Sequence, residues 1–279
     1  MSFFSIIIPL YNKENHIENT LKSVLNQSFI DFEIIVVNDG STDNSEQIVF
    51  QFNDNRIHYF YKKNEGVSIA RNFGIEQAKS NLICFLDADD FWYENFLETM
   101  YRYIKKLPEY KVFSSAIEIE TSKTIFPAQY SIKRNNDFEI INFFEASEKE
   151  SVIWTSSTVF HKSVFTKTGM FDPNIKISED TDLWIRVGLQ YQIVFIWKIL
   201  ARYVYDERSI SRASNYIFEE SSFAKYYEEE KTNKNLKKYL DLNRFSVAIK
   251  NKLNDDLINF QKNYEVIDLN NLEFKKRFL

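Results

Sequence analysis

The feature that most constrains the fold is a regular alternation of short apolar runs and helical patterns in the first part of the chain. Residues 3–8 form a β-branched run, and one helical face follows at Ile17, Leu21, Val24 and Leu25. The same order returns after further apolar runs at 33–37, 57–61 and 82–86. This alternation predicts an α/β, Rossmann-like fold, with a mainly parallel sheet and helices on both faces.

The second part of the chain has a less regular pattern. Strands are predicted at 112–119, 151–160 and 193–205, with a polar stretch at 121–136 and a helix that begins near Asp180. From about residue 218 the sequence is rich in Lys, Glu, Asn and Tyr, which predicts helices. We therefore expect an α/β domain at 1–215, with halves at 1–110 and 111–215, and a helical C-terminal extension at 216–279.

Composition limits what the chain can do. The net charge of −5 argues against nucleic acid as a partner, and 44% hydrophobic residues over 279 positions suffice for a large core. A single cysteine, Cys84, favours a reducing, cytoplasmic compartment. No apolar run approaches the roughly 18 residues of a membrane span, so a soluble or peripheral protein is expected. With only 5 glycines, the chain has neither a dinucleotide-binding nor a Walker phosphate loop.

Acidic residues follow two of the predicted strands directly. Asp39 ends the second strand and a cluster at 87–90 ends the fourth. Ligands of open α/β sheets lie beyond the carboxyl ends of the strands, so both groups are expected in one cleft. Asp87 and Asp89 suit Mg²⁺ or Mn²⁺, which take one or two carboxylates plus substrate phosphates. The alternatives are a hairpin turn at 38–40 and a helix cap at Asp89 or Asp90.

Several motifs occur in a fixed order along the chain. They are Ile8-Pro9-Leu10-Tyr11-Asn12, Val37-Asn38-Asp39-Gly40-Ser41-Thr42-Asp43, Asn64-Glu65-Gly66 with Ala70-Arg71-Asn72, Leu86-Asp87-Ala88-Asp89-Asp90, and Ser178-Glu179-Asp180 with Leu183-Trp184. Together they resemble the family 2 inverting glycosyltransferases of GT-A fold. The resemblance covers roughly residues 1–212 and implies a nucleoside-diphosphate sugar, expected to be a UDP-sugar, as donor.

The resemblance also implies roles for individual residues at the donor. Pro9 and Tyr11 would lie at the base or ribose, and Asp39 would accept a hydrogen bond from the base. Arg71 and Ala88 would lie near the nucleotide beside Asp87, and Asp89 would bind an Mn²⁺ or Mg²⁺ ion that bridges the diphosphate. Two simpler interpretations remain open, in which Tyr11 supports a strand–helix turn and Arg71 is a surface helix residue.

An acceptor hydroxyl needs a general base, and the resemblance assigns that role to Asp180. Glu179 is a close competitor, and Asp182 is expected to make hydrogen bonds at a helix start. In another interpretation, all three acids simply favour a helix N-terminus. A single displacement inverts the anomeric carbon and needs no enzyme nucleophile, so Cys84 is expected to be a buried apolar side chain.

Two positions depart from the family pattern. Many relatives have a histidine before Ser-x-Ser, whereas this chain has Asp206 before Ser209-Ile210-Ser211. Asp206 is therefore a candidate oxygen ligand, and Arg208 a candidate to balance the diphosphate charge. Ser178 stands where relatives usually have glycine before Glu-Asp.

The expected reaction is sugar transfer to a glycan or lipid-linked acceptor in surface polysaccharide or lipooligosaccharide synthesis. The alternatives are a non-catalytic sugar-nucleotide or glycan-binding module of the same fold, and a phosphoacceptor switch. Segment 231–252 carries seven Lys or Arg against one Asp. Its interleaved apolar residues are Leu236, Tyr239, Leu240, Phe245 and Ile249. This segment is expected either to lie on the anionic inner face of the cell membrane or to pack on protein, including a second subunit.

Overall fold

The computed structural model of the chain describes residues 2–205 and 221–272. The first part contains β1 (Phe4–Leu10), α1 (Ile17–Leu25), β2 (Phe32–Asp39), α2 (Ser45–Val49), β3 (Ile57–Lys62), α3 (Val67–Gln77), β4 (Leu82–Phe85), β5 (Phe91–Trp92) and α4 (Phe96–Lys106). The second part contains β6 (Val112–Glu120), β7 (Ile125–Pro127), β8 (Phe138–Ile141), α5 (Phe143–Ala146), β9 (Thr158–His161), α6 (Ser163–Thr168), α7 (Glu179–Gly188) and β10 (Ile193–Val204). The C-terminal helices are α8 (Ser221–Ala224), α9 (Tyr227–Thr232), α10 (Lys234–Leu253) and α11 (Leu257–Glu265).

One sheet runs through the α/β part in the order β3-β2-β1-β4-β9-β6-β10-β5, with β7 beside β6 and β8 beside β10. Strands β3, β2, β1 and β4 pair in parallel throughout. Their carboxyl ends therefore share one edge, as the alternating pattern predicted. The sheet is continuous across the boundary expected at 110–111.

The second part of the sheet is mixed. β9 pairs antiparallel with both β4 and β6, whereas β10 pairs parallel with β6 and antiparallel with β5 and β8. The strand predicted at 151–160 is shorter, because a 3₁₀ turn at Thr155–Ser157 precedes β9. The expectation that Asp89 or Asp90 caps a helix is wrong, since the short strand β5 follows and α4 begins only at Phe96.

Alternate residues of the parallel strands supply two apolar cores. Ile6, Ile8, Ile34 and Val36 lie in one core with α1 and α4 residues, and Ile7, Ile35 and Val37 lie in the other. The second core also includes residues of α3, α5, α7 and α10. Both faces of the sheet are thus covered by helices, which explains why the strands are apolar on both sides. Cys84 is buried in the first core, as expected.

The C-terminal helices pack on the α/β part. Leu236 and Leu240 are fully buried in the second core, and the Tyr239 ring lies 5.2 Å from Phe143 and 5.6 Å from Phe144. The alternative of packing on protein is thus confirmed for most of the apolar stripe, which is buried and does not face a membrane surface. Contact of other residues of 231–252 with a membrane remains a prediction. Within residues 2–205 and 221–272, no helix has the length and apolarity needed to cross a bilayer.

Candidate active site

Asp39 ends β2 and organises the loop between β3 and α3. One carboxylate oxygen accepts hydrogen bonds from Lys62 Nζ (2.8 Å) and Glu65 N (3.1 Å), and the other accepts one from Gly66 N (2.8 Å). The adjacent Gly40 has φ of +76°, and a Cβ there would lie 2.8 Å from Asn64 N. Glycine is therefore required at position 40, where the loop after β2 comes close to the backbone of Asn64. The hairpin alternative is wrong, because a helix rather than an antiparallel strand follows.

The loops after β1 and β2 are joined by hydrogen bonds that the sequence analysis missed. Asn12 Oδ1 accepts one from Thr42 N (2.8 Å), and Lys13 N donates to Ser45 Oγ (2.8 Å). Asp43 accepts hydrogen bonds from Glu14 N and Ser45 N, each at 3.0 Å. The polar run at 38–43 is the sequence signal of this network. The hydrogen bonds hold the loops after β1 and β2 together beside Asp39.

The other residues expected at the nucleotide lie along the same edge. Tyr11 directly follows β1 and is 38% exposed. Pro9 is buried within β1 opposite Val37, and Ala88 is buried with its carbonyl oxygen accepting a hydrogen bond from Thr20 Oγ1 at 3.0 Å. Contacts of Pro9, Tyr11 and Ala88 with a nucleotide remain predictions.

The acidic cluster after β4 contains three differently placed carboxylates. Asp87 accepts a hydrogen bond from Arg71 Nη2 at 2.8 Å, and Asp89 is paired with Lys13 Nζ at 2.5 Å. The Asp87 and Asp89 side chains are 30% and 19% exposed. Asp90 is buried and accepts hydrogen bonds from Ser156 Oγ (2.5 Å) and Val204 N (3.0 Å). Burial and the charges of its two acidic neighbours raise the pKa of Asp90.

The donor set around Asp89 suits a divalent cation that is shared with a substrate. Asp87 and Asp89 offer carboxylate oxygens, which Mg²⁺ and Mn²⁺ prefer. Among the described residues, no group of three or more His, Cys, Asp or Glu side chains could hold a metal. The described residues would thus supply one or two oxygens, with the other ligands coming from diphosphate and water. Asp206 and Arg208, the further candidates, lie outside the described residues.

Arg71 joins the acidic cluster to the start of α7. Its guanidinium donates to Asp87 Oδ1 at 2.8 Å and to Glu179 Oε1 at 2.7 Å, and it lies 5.1 Å from the centre of the Phe171 ring. Arg71 is buried, so the interpretation as a surface residue is wrong. Although burial alone would lower it, the two carboxylates raise the pKa of Arg71. This ion triad fixes the distance between the two acidic groups.

The residues next to Arg71 hold the same segments together. Asn72 Nδ2 donates to Phe171 O at 2.8 Å, and Phe171 N donates back to Asn72 Oδ1 at 3.0 Å. Asn72 thus fixes the loop before α7 to α3, which accounts for its place in the Ala70-Arg71-Asn72 motif.

Helix α7 begins with the acid pair Glu179 and Asp180. Burial and the Asp180 charge raise the pKa of Glu179 against the opposing effect of Arg71. Asp180 is half-buried, and its Oδ1 accepts a hydrogen bond from Thr181 N at 2.6 Å. Ser178 has the left-handed φ of +62°, which explains why glycine suits this position.

Asp182 has a structural role at the same helix. It is buried and accepts hydrogen bonds from Arg186 Nε (3.0 Å) and Tyr226 Oη (2.7 Å), and it also pairs with Lys225. The expectation of a hydrogen-bonding residue at the helix start is confirmed. Asp182 connects α7 to the C-terminal helices.

A cavity of about 590 Å³ opens beside Asp180. We call it the Asp180 cavity and define it by four groups of residues. The first group is Ile119 and residues 126–129, and the second is residues 147–151 and 153–154. The third is Asp180, Thr181 and Trp184, and the fourth is Tyr239, Leu242, Asn243 and Ser246 of α10. Asp180 therefore has space for a bound molecule in front of it, and the interpretation of Asp180 as only a helix-start residue is weakened.

Comparison with known proteins gives a consistent family match. Residues 5–169 match the profile of glycosyl transferase family 2. The chain is 32% identical over 222 residues to the uncharacterized glycosyltransferase RT0329 of Rickettsia typhi, covering 77% of this chain and 68% of that one. It is 33% identical over 194 residues to the minor teichoic acid biosynthesis protein GgaA of Bacillus subtilis, covering 63% and 41% of the two chains. Several other relatives are much longer, and the chain spans 28% of a Rickettsia bellii glycosyltransferase.

The solved structure of S. aureus TarS 1-349 in complex with UDP-GlcNAc shares the fold. The TM-score is 0.67 at 18% identity, with 95% of this chain and 91% of that chain covered. This coverage includes most of the C-terminal helices as well as the α/β part. The GT-A fold expected from the motifs is confirmed.

Proposed function

The chain belongs to glycosyl transferase family 2, and we propose that it moves a sugar, a hexosyl or N-acetylhexosaminyl group, from a UDP-sugar to a hydroxyl of a glycan or lipid-linked acceptor. The observation that carries the proposal is the Arg71 bridge, because its guanidinium contacts both Asp87 and Glu179. One arginine thus holds the carboxylates that follow β4 beside the acid pair of α7. A donor diphosphate and an acceptor hydroxyl placed at these groups would meet between them.

The donor would lie along the carboxyl ends of β1, β2 and β4. Tyr11 follows β1 and is 38% exposed, and Asp39 keeps carboxylate lone pairs beyond the three hydrogen bonds it accepts from the protein. Asp87 and Asp89 would hold the Mg²⁺ or Mn²⁺ ion together with the diphosphate. When bound, such a cation neutralises charge that develops on a departing diphosphate.

Asp180 rather than Glu179 is the proposed general base. Glu179 is 13% exposed and committed to the Arg71 ion pair, whereas Asp180 lines the cavity where an acceptor could enter. In the proposed step, the acceptor oxygen bonds to the anomeric carbon while the bond from that carbon to the diphosphate breaks. Asp180 takes the hydroxyl proton. One displacement of this kind inverts the anomeric centre, and a positioned base contributes roughly 10² to 10⁴ in rate.

A role in surface polymer synthesis is proposed from the named relatives. GgaA is named for minor teichoic acid, and TuaG of Bacillus subtilis is named for teichuronic acid biosynthesis. We expect the reaction on the cytoplasmic side of the membrane, where the exposed basic residues of 231–252 could meet anionic lipid. They are Lys231, Lys234, Lys250 and Lys252. Vesicle sedimentation at low and high salt would test that contact, and equal recovery with neutral and anionic vesicles would contradict it.

Release of nucleoside diphosphate from a panel of UDP-, GDP- and dTDP-sugars tests the proposed activity. Each donor is incubated with Mn²⁺, with Mg²⁺ and with a chelator, in the presence and absence of glycoside acceptors. We expect metal-supported release from at least one UDP-sugar and more release with an acceptor. A binding module of the same fold would bind a donor without turnover, so binding without release under every condition would contradict the proposal.

A further inference from the structure

Helix α10 forms one wall of the Asp180 cavity. Tyr239, Asn243 and Ser246 all line it, and their spacing of four and three residues places them on one helical face. Other residues of α10, such as Leu236 and Leu240, are buried in the apolar core and fix the position of the helix. The C-terminal segment is therefore part of the cavity and is held there by apolar packing.

The α10 wall also lies within electrostatic reach of the proposed base. Tyr239 and Asp180 both line the cavity, and burial together with the charge of Asp180 raises the pKa of Tyr239. Asn243 Nδ2 donates a hydrogen bond to Tyr239 O at 2.8 Å, and Ser246 Oγ donates one to Leu242 O at 3.1 Å. The Asn243 carbonyl and the Ser246 hydroxyl retain capacity to accept hydrogen bonds.

The charges in the cavity restrict what it can hold. Asp180, Glu148 and Glu150 line it against one cation, Lys149. Glu148 is paired with Lys238 Nζ at 2.7 Å, and burial raises the pKa of Glu150. Although Lys238 offsets the charge of Glu148, a phosphate or carboxylate group next to Asp180 would meet a like charge, which disfavours its binding. A neutral ligand avoids this repulsion.

The cavity also contains groups that suit a sugar ring. Trp154 and Trp184 line it and offer aromatic surface, and Trp154 Nε1 is a buried donor without a hydrogen-bond partner in the protein. Hydroxyl groups can accept from such a donor and donate to carbonyl oxygens such as Asn243 Oδ1. Apolar surface with a few polar groups is typical of small-molecule sites.

We propose that α10 completes the acceptor site, and that Asn243 and Ser246 select a neutral, hydroxyl-bearing sugar residue next to Asp180. This inference rests on the proposed transferase function. It assigns acceptor recognition to the C-terminal segment, in a part of the chain beyond the residues 5–169 that match the family profile.

The test compares the wild type with the double variant Asn243→Ala/Ser246→Ala. Lys234→Ala is the matched control, because Lys234 is exposed on the same helix and does not line the cavity. The acceptor probes are p-nitrophenyl glycosides of glucose, galactose and N-acetylglucosamine, with ribitol phosphate as the charged probe. Donor hydrolysis without acceptor is measured in parallel, and melting temperatures verify folding.

We expect transfer to at least one neutral glycoside and none to ribitol phosphate. In the double variant the acceptor KM should rise about 10-fold or more, while donor hydrolysis and the donor KM stay unchanged. An unchanged acceptor KM would overturn the role of α10, and transfer only to ribitol phosphate would overturn the neutral acceptor. Absence of both hydrolysis and transfer in the wild type would instead refute the proposed function.

Discussion

The two sides of the site are built in different ways. The proposed donor wall consists of residues 9–13, 38–43, 62–66 and 87–90, which lie at or just beyond the carboxyl ends of adjacent parallel strands and are joined by hydrogen bonds. The Asp180 cavity instead combines residues from 119 to 246. The donor wall therefore depends on local loop contacts, whereas the cavity depends on how distant helices pack.

Arg71 links the two acidic groups of the site by charge. It contacts Asp87 on the donor wall and Glu179 at the start of α7. We therefore expect variants on either side to change donor binding and acceptor recognition separately, and variants of Arg71 to change both. The variants below test that separation, beginning with the largest expected effect.

Replacement of Asp89 by alanine should abolish metal-supported transfer and leave the fold intact. Asp89 is a proposed cation ligand, and its described ion pair with Lys13 is partly exposed. Transfer is measured with and without Mn²⁺, and Mn²⁺ binding is measured by calorimetry. Asp31→Ala is the control, since Asp31 is an exposed acid before β2, at the opposite edge of the sheet. Full activity of Asp89→Ala in chelator would contradict this assignment.

Replacement of Arg71 by methionine should lower the stability of the protein, because Asp87 and Glu179 both lose their ion-pair partner. Loss of one partner from a buried ion network costs about 3 to 5 kcal/mol of unfolding free energy, and the lower figure is expected because Asp87 is 30% exposed. Urea denaturation measures the change against Arg102→Met, a control at an exposed arginine of α4. Equal denaturation midpoints for the two variants would show that the triad does not stabilise the fold.

Replacement of Tyr226 by phenylalanine should loosen the C-terminal helices from α7. The variant loses the 2.7 Å hydrogen bond to Asp182, a contact with a charged group worth about 1.5 kcal/mol. Thermal unfolding is compared with that of Tyr61→Phe, a control at a 63% exposed tyrosine. We expect donor hydrolysis to persist. An unchanged melting temperature would contradict the anchoring role of Asp182.

Replacement of Ser178 by glycine should stabilise the protein slightly. A left-handed φ costs a non-glycine residue about 1 to 2 kcal/mol, and glycine would relieve this cost. The greater freedom of glycine in the unfolded chain offsets about half of the resulting gain in stability. The expected increase is below about 1 kcal/mol, measured by denaturation. Ser178→Ala keeps the Cβ atom and should give no increase, so equal stabilisation by both changes would exclude relief of backbone strain.

The sequence predicts the donor side of the fold well because its elements are local. The strands at 33–37, 57–61 and 82–86 and the acids that follow them match the structure closely. Asp43 and Glu46 have the spacing of a capping box, but Asn44 is the N-cap of α2, and Asp43 accepts hydrogen bonds from Glu14 N and Ser45 N. Such bonds between loops are fixed only when neighbouring strands pair.

The cavity side could not be predicted from the sequence to the same extent. The apolar residues of 231–252 have the same helical spacing whether they face lipid or protein, and only packing against Phe143 and Phe144 distinguishes the two. The polar residues Asn243 and Ser246 likewise have no distinctive sequence pattern, and only the packing of α10 brings them to the cavity that Asp180 lines. Long-range packing determines this wall, and a short pattern carries little information about it.

In the proposed reaction, Asp180 is the base and Glu179 is a positioning residue held by Arg71. The most direct measurement compares Asp180→Asn with Glu179→Gln, with transfer rate and UDP affinity determined for both. We predict that Asp180→Asn loses at least about 10²-fold in kcat while its UDP affinity stays within a few-fold of wild type. Glu179→Gln should lose less. A greater loss in Glu179→Gln, with Asp180→Asn close to wild type, would contradict the account.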